Sequence, residues 1–154
     1  MTGIWHRALP APGTTMVLEA SAGTGKSFTI AGMIARHVAQ GTPIESVLAV
    51  TFSRRATAEL RESIRHRIVV VRDALTLAAS GRQVPDPDVV TSLLITGPPQ
   101  DVELRRQRLV QAVNHMDSAA MVTIHTFAAR IMIQGSGWPP TPIPSSPESS
   151  PTLI

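Results

Sequence analysis

The segment Ala20-Ser-Ala-Gly-Thr-Gly-Lys-Ser27 constrains the fold more than any other part of the chain. It joins a short apolar run, Met16–Ala20, to a helical pattern of apolar residues, Lys26–Gln40, and Gly41 stands where that helix should stop. A second apolar run, Val47–Phe52, follows and has the character of a strand buried on both faces. The order strand, turn, helix, strand predicts a βαβ unit, and such a unit requires a parallel sheet. The predicted fold class is therefore α/β.

The same segment matches the phosphate-binding pattern G-x-x-x-x-G-K-[ST], except that Ala20 stands in the first glycine position. Gly23 and Gly25 allow the backbone to point its N–H groups inward as an anion nest, and the following helix adds its dipole. In this pattern Lys26 contacts the β- and γ-phosphates, and the Ser27 hydroxyl reaches the Mg²⁺ that bridges them. The alternative is a glycine turn that only opens a helix. The predicted nucleotide site consists of Ala20, Ser21, Ala22, Gly23, Thr24, Gly25, Lys26 and Ser27.

The composition of the chain supports the interpretation of Lys26 as a phosphate contact, and it excludes sites that need cysteine. Among the 14 basic residues Lys26 is the one lysine, and an arginine cannot reproduce a compact ammonium. Cysteine is absent, which excludes a disulfide framework, a thiolate metal site and a cysteine nucleophile. The net charge of +3 permits nucleic-acid binding but is weak evidence for it.

The rest of the chain divides into helical patterns, one further strand and a tail of different composition. The predicted elements are a helix from Arg54 to about Ala79, a loop from Ser80 to Gln100 with a short helix at Val89–Leu94, a helix that Asp101 caps and that runs to about His115, a strand at Ala119–Ile124 and a helix at His125–Gln134. Residues 135–154 are rich in proline and serine and are predicted to be disordered. No apolar run approaches the roughly 20 residues that span a bilayer, and no signal peptide is recognisable, so we expect a cytoplasmic protein.

Two further segments carry a resemblance to a known family. Val50–Arg61 resembles motif Ia of superfamily 1 helicases, and Val122–Phe127 resembles their later T-x-H-x-F motif. Leu18–Ile30 resembles the phosphate loop of the RecB-like members. The three blocks occur in the order that the family uses, over roughly residues 5 to 134. The chain thus resembles the UvrD/RecB-like DNA helicases.

The resemblance implies a fold, a cofactor and partners. Residues 1–134 would be part of a RecA-like ATP-binding domain with a helical insertion at about 73–118, and the loop would hold ATP and Mg²⁺. Such enzymes move along single-stranded DNA, and RecB-like ones act with the gamma and alpha subunits of exodeoxyribonuclease V in double-strand break repair and recombination. The DNA-facing residues implied are Thr51, Phe52, Arg54, Thr123, His125 and Phe127.

Five of these six residues also have a simpler interpretation. The two phenylalanines would serve in core packing, the histidine would be structural, and the two threonines would cap helices. Arg61, Arg65 and Arg72 fit a solvated helix face better than a DNA contact.

Three functional hypotheses remain open at this stage. No apolar run ends in the Asp-Glu pair that the family uses to hold Mg²⁺, so we expect a truncated or frameshifted helicase fragment with little activity alone. A non-enzymatic module that binds nucleotide or DNA and competes with the intact helicase is the second hypothesis. A small P-loop kinase is the third, but it would make both helicase motifs coincidental.

Overall fold

A computed structural model describes Thr15, Val17, Glu19 and residues 25–134. The loop residues Ala20–Thr24, the tail 135–154 and most of the predicted strand Met16–Ala20 lie outside the described residues. The elements of the described part are, in chain order, α1 (Lys26–Gln40), β1 (Leu48–Thr51), α2 (Arg54–Ala79), α3 (Val89–Ile95), α4 (Pro99–Asn114), β2 (Ala120–Thr123) and α5 (Ile124–Gln134). One-turn 3₁₀ helices at Ile44–Ser46 and Met116–Ser118 precede the two strands.

Helix α1 ends where the sequence predicts. Gly41 follows its last residue with a φ of 117°, a left-handed conformation that favours glycine. The N–H of Gly41 donates to the Val38 carbonyl, and the N–H of Thr42 donates to the His37 carbonyl, both at 3.0 Å. Arg108 on α4 adds a bond of 3.1 Å from its guanidinium to the Ala39 carbonyl. Three of the four free carbonyls at this helix end are thereby satisfied, which fixes the turn that leads toward β1.

Helix α2 has the predicted bounds and the predicted buried stripe. The Ser53 hydroxyl caps it by accepting a bond of 3.1 Å from the Ala56 N–H. The residues of the stripe recur at steps of three and four, and all of them are buried: Leu60, Ile64, Ile68, Val71 and Leu75.

The loop prediction for 80–100 is confirmed in outline, and the predicted start of the next helix is wrong. The short helix forms as α3, with Asp88 as its cap. Helix α4 begins at Pro99, whereas the prediction placed Asp101 as the cap. Proline fits a first helical turn because it has no N–H, an N–H at that position would have no partner within the helix, and the φ of proline is already helical. Asp101 instead lies in the first turn, where its charge suits the helix dipole.

The two strands form a parallel pair, so the predicted α/β class with parallel strands is confirmed. The register pairs Leu48 with Ala120 and Thr51 with Thr123. The first strand of the predicted βαβ unit falls largely outside the described residues, and the pairing within the described part joins β1 to β2 across the three intervening helices. At the end of β2, Ile124 opens α5 instead of ending the strand.

The two faces of this small sheet have different coverings. Ala49 and Met121 face the main core, which is built with the buried residues of α1, α2 and α4. On the opposite face Leu48, Ala120 and Val122 form a second cluster. None of the helices in residues 25–134 is both long and apolar enough to cross a membrane.

A buried arginine connects three helices. The Arg67 side chain, only 5% exposed on α2, forms an ion pair with the Asp88 carboxylate. Its guanidinium carbon lies 4.8 Å from the centre of the Phe28 ring on the first turn of α1, a cation–π distance. The other Asp88 oxygen accepts a bond of 2.9 Å from the Thr91 N–H. Arg67 therefore ties the cap of α3 to the start of α1.

The Asp88 pair should make stability depend on pH. Burial opposes the charged form, but the Thr91 N–H bond and the Arg67 guanidinium outweigh it and hold the pKa of Asp88 below its usual value. The contribution is thus complete above about pH 4, the unfolded pKa, and is lost as the pH falls through the folded pKa. We expect Asp88→Asn to lower the free energy of unfolding by about 1–3 kcal/mol at pH 7 and by less at pH 3, measured by urea unfolding.

Asp73→Asn is the matched control because Asp73 also pairs with an arginine, Arg72, but its side chain is 61% exposed. We expect a loss of at most about 1 kcal/mol there. Equal losses for the two variants at both pH values would contradict a stabilising role for the Asp88 pair.

Candidate nucleotide and nucleic-acid site

The start of α1 is a helix N-terminus that a glycine caps. Gly25 is the residue that caps this helix, and its φ of 87° is left-handed. A Cβ at this position would meet no atom within 4 Å, so glycine is favoured there by the backbone conformation and not by lack of space. Gly25 has no side chain, so this helix start has no side-chain cap of the kind that a serine or aspartate supplies. Helix starts of this kind bind phosphates.

Three of the eight residues predicted for the nucleotide site are described. Gly25, Lys26 and Ser27 stand in sequence at the start of α1, with Lys26 partly buried and Ser27 exposed. The other five, Ala20–Thr24, lie outside the described residues. The described residues fit a triphosphate because they combine a turn that favours glycine, a helix start without a side-chain cap, a cation and an exposed hydroxyl.

The residues predicted to face DNA meet at the carboxyl ends of the two strands. Thr51 and Thr123, which come from separate motifs, are register partners at the last position of β1 and β2. Phe52 follows directly after β1, and His125 lies in the first turn of α5 after β2. Neighbouring parallel strands have their carboxyl ends at the same edge of a sheet. The parallel pairing therefore brings the two motifs to one edge.

The hydroxyls of both threonines take part in local bonds. Thr51 Oγ1 lies 2.6 Å from Thr57 Oγ1 on the first turns of α2. Thr123 Oγ1 accepts a bond of 3.3 Å from the Thr126 N–H and lies 3.0 Å from Thr126 Oγ1. These bonds fix the two strand-to-helix turns. Thr123 therefore has the capping role that the sequence left open, whereas Ser53 takes that role for α2.

The two aromatic residues differ in their surroundings. Phe52 is 88% exposed, so core packing does not describe it. Phe127 packs against the second cluster, which includes Leu48 and Val122, so core packing does describe it. His125 and Arg54 are both exposed. Exposure leaves Phe52, Arg54 and His125 accessible to a ligand, while Phe127 presents only part of its ring.

An arginine-lined cleft lies beside this edge of the sheet. It has a volume of about 440 Å³ and is bounded by the first half of α2, by β2 and by α5. Its charged lining residues are Arg54, Arg61, Glu62, Arg65 and Arg130. The sequence analysis placed Arg61 and Arg65 on a solvated helix face. No periodic pattern pointed to Arg130, because only the fold brings α5 beside the cleft that α2 lines.

Comparison with known proteins decides the family. Residues 2–136 match the UvrD/REP helicase N-terminal domain. The chain belongs to the UvrD/REP helicase family. The predicted family membership is thereby confirmed, on a match that includes the whole described part of the chain.

Several of the similar proteins are RecB subunits. The chain is 39% identical over 125 residues to the RecBCD enzyme subunit RecB of Mycobacterium tuberculosis, 41% over 125 residues to that of Mycolicibacterium smegmatis and 37% over 136 residues to that of Escherichia coli K12. Each comparison covers 80% of this chain but only 11% of the relative. This member of the helicase family therefore corresponds to a small part of those proteins.

The different surroundings of the two phenylalanines predict different effects of their substitution on the free energy of unfolding. Phe127→Ala should lower the free energy of unfolding by about 1–2 kcal/mol, because it uncovers the second cluster. Phe52→Ala removes a solvated ring and should change it by less than about 0.5 kcal/mol. Urea unfolding of the two variants provides the comparison. A loss for Phe52→Ala as large as that for Phe127→Ala would contradict the exposure of Phe52.

Proposed function

We propose that this chain is the ATP-binding N-terminal part of a RecB-like DNA helicase subunit, with a RecA-like fold completed by residues beyond those described. The observation that carries the proposal is the start of α1, where a left-handed Gly25 directly precedes the one lysine of the chain at a helix end without a side-chain cap. The family match and the RecB relatives support the same function.

The nucleotide would lie across residues 20–27. The N–H groups at the start of α1 would hold the phosphates, and the ammonium of Lys26 would neutralise the charge of the β- and γ-phosphates. The Ser27 hydroxyl would orient the Mg²⁺ that accompanies ATP. ATP supplies the phosphoanhydride bond whose cleavage drives movement in this class of enzyme. Because no apolar run in the sequence ends in an Asp-Glu pair, we expect the chain to bind ATP but to hydrolyse it slowly.

Single-stranded DNA would cross the carboxyl ends of β1 and β2. The exposed ring of Phe52 suits stacking on a base, which is tolerant of sequence because every base has a π-face. Arg54 and His125, both exposed, and the hydroxyls of Thr51 and Thr123 suit contact with phosphate. Phe127 would act mainly by packing against the second cluster and so stabilising this edge of the sheet.

The biological setting is proposed from the relatives. They are named as RecB subunits of the RecBCD enzyme, and the chain matches 11% of their length. We infer that the chain acts in double-strand break repair and recombination, and that its partners are the gamma and alpha subunits of exodeoxyribonuclease V.

The nucleotide site is tested by Lys26→Ala. Loss of the ammonium should weaken binding of a fluorescent ATP analogue with Mg²⁺ by at least about tenfold, since a charge-assisted contact to phosphate contributes roughly 1.5–3 kcal/mol. Thermal unfolding should change little because the Lys26 side chain is only partly buried. Unchanged affinity in a folded variant would refute the proposed site.

A pair of glycine variants distinguishes a role of Gly25 in nucleotide binding from a general loss of stability. Gly25→Ala and Gly81→Ala both force a left-handed alanine, at φ values of 87° and 71°, and neither Cβ would meet an atom within 4 Å. Each should therefore lose about 1–2 kcal/mol of stability. Only Gly25→Ala should also weaken nucleotide binding, because Gly81 lies in the loop after α2. Equal nucleotide affinities in the two variants would contradict a phosphate-binding role for Gly25.

A further inference from the structure

We propose that Arg67 on α2 is a positioning residue for the nucleotide site and that it acts on this site through the ring of Phe28. The Arg67 guanidinium carbon lies 4.8 Å from the centre of that ring. Phe28 follows Ser27 directly and belongs to the first turn of α1. The inference rests on the proposed function, because it concerns how the phosphate-binding turn is held in place.

The first turn of α1 depends on contacts from outside the helix. The Thr29 N–H donates to the Gly25 carbonyl at 2.9 Å, and this is the first backbone bond of the helix. The amides of Lys26, Ser27 and Phe28 precede it, so no carbonyl of α1 orients them. Groups that bind a ligand must be held within about 0.5 Å of their productive geometry. A contact that restrains this turn therefore bears on how well it binds phosphate.

Arg67 occupies a position on α2 where an apolar side chain would be expected. Ile64 lies three residues before it and Val71 four residues after it, and both are fully buried. Arg67 is buried with them, on the face of α2 that packs into the core. A methionine there would fill the same space without the cost of burying a charge. Packing alone therefore does not account for an arginine at this position.

Two partners of different kinds hold the guanidinium. Its Nη2 forms an ion pair with the Asp88 carboxylate at the cap of α3, and the ring of Phe28 lies beside its carbon. Within the part of the chain that the structure describes, its Nε makes no hydrogen bond. An aromatic face attracts a cation that has lost its water, so the ring partly replaces that solvation. The buried cation and the ring thus restrain each other.

The ring of Phe28 has an environment in which this restraint matters. It is 48% exposed, so packing in the core holds it only in part. Arg67, by contrast, is fixed by its burial on α2 and by the carboxylate of Asp88. The contact therefore transmits the position of a rigid part of the fold to the turn that carries Lys26 and Ser27.

The test is a double-mutant cycle on the dissociation constant of a fluorescent ATP analogue with Mg²⁺. Arg67→Met fills the apolar position without the cation, and Phe28→Leu keeps an apolar side chain without the aromatic face. We expect each variant to weaken binding by about three- to tenfold. Because both remove the same contact, the double variant should bind as either single variant does. Arg67→Lys should restore part of the affinity, since an ammonium also interacts with an aromatic face.

Leu75→Val is the matched control, because it changes a fully buried position on α2 about 12 Å from Arg67. It should lower the temperature of unfolding and leave the affinity for the analogue unchanged. A purely structural Arg67 would behave in the same way. Wild-type affinity in folded Arg67→Met, an equal loss of affinity in Leu75→Val, or multiplied effects in the double variant would each overturn the inference.

The wild-type chain and Lys26→Ala distinguish this failure from failure of the proposed function. If the wild type binds the analogue and Lys26→Ala weakens binding, the nucleotide site stands whatever Arg67→Met shows. Absence of binding by the folded wild-type chain would overturn both the site and the inference. Circular dichroism establishes that each variant is folded.

A measurement on the wild-type chain remains if Arg67→Met does not fold. Coupling between two sites is reciprocal, so bound MgATP should also stabilise the cap of α3. There the Thr91 N–H donates to the Asp88 carboxylate at 2.9 Å. Saturating MgATP should slow amide exchange in the peptide that contains residues 88–95. Slower exchange at residues 20–28 with none at residues 88–95 would overturn the link through Arg67.

Discussion

The parallel pairing of β1 with β2 is the constraint on which the described architecture depends. Parallel neighbours cannot be joined by a tight turn, so the chain between them must leave the sheet and return. Helices α2, α3 and α4 make that connection, and their apolar faces also build the main core. The same pairing sets Thr51 beside Thr123 and so brings two motifs that are distant in sequence to one edge of the sheet.

The helical connection is also linked to the start of α1. Arg67 on α2 contacts the ring of Phe28 and pairs with Asp88 at the cap of α3. Phe28 is the residue after Ser27, so the first turn of α1 is in contact with α2, one of the helices that join the two strands. An arginine buried in this way is costly unless its charge is paired, which explains why Asp88 must be ionised for the arrangement to be stable.

Local signals in the sequence account for what could be predicted. The predicted bounds of α1 and α2 follow from Gly41 and from apolar steps of three and four, which act within a few residues. The start of α4 was misplaced because Asp101 is a good cap in isolation, while Pro99 is better suited to the first turn. The burial of Arg67, the difference between Phe52 and Phe127 and the convergence of Arg130 on α2 could not be predicted. Each of them depends on which elements become neighbours in three dimensions.

The central claim is that the turn into α1 holds the phosphates of ATP, and hydrogen exchange tests it most directly. Amide exchange of the whole chain should be measured with and without MgATP at millimolar concentration. The account predicts slower exchange in the peptide that contains residues 20–28, where the N–H groups would bind phosphate, and little change in α4. Unchanged exchange at residues 20–28 in a chain that is folded by circular dichroism would contradict it.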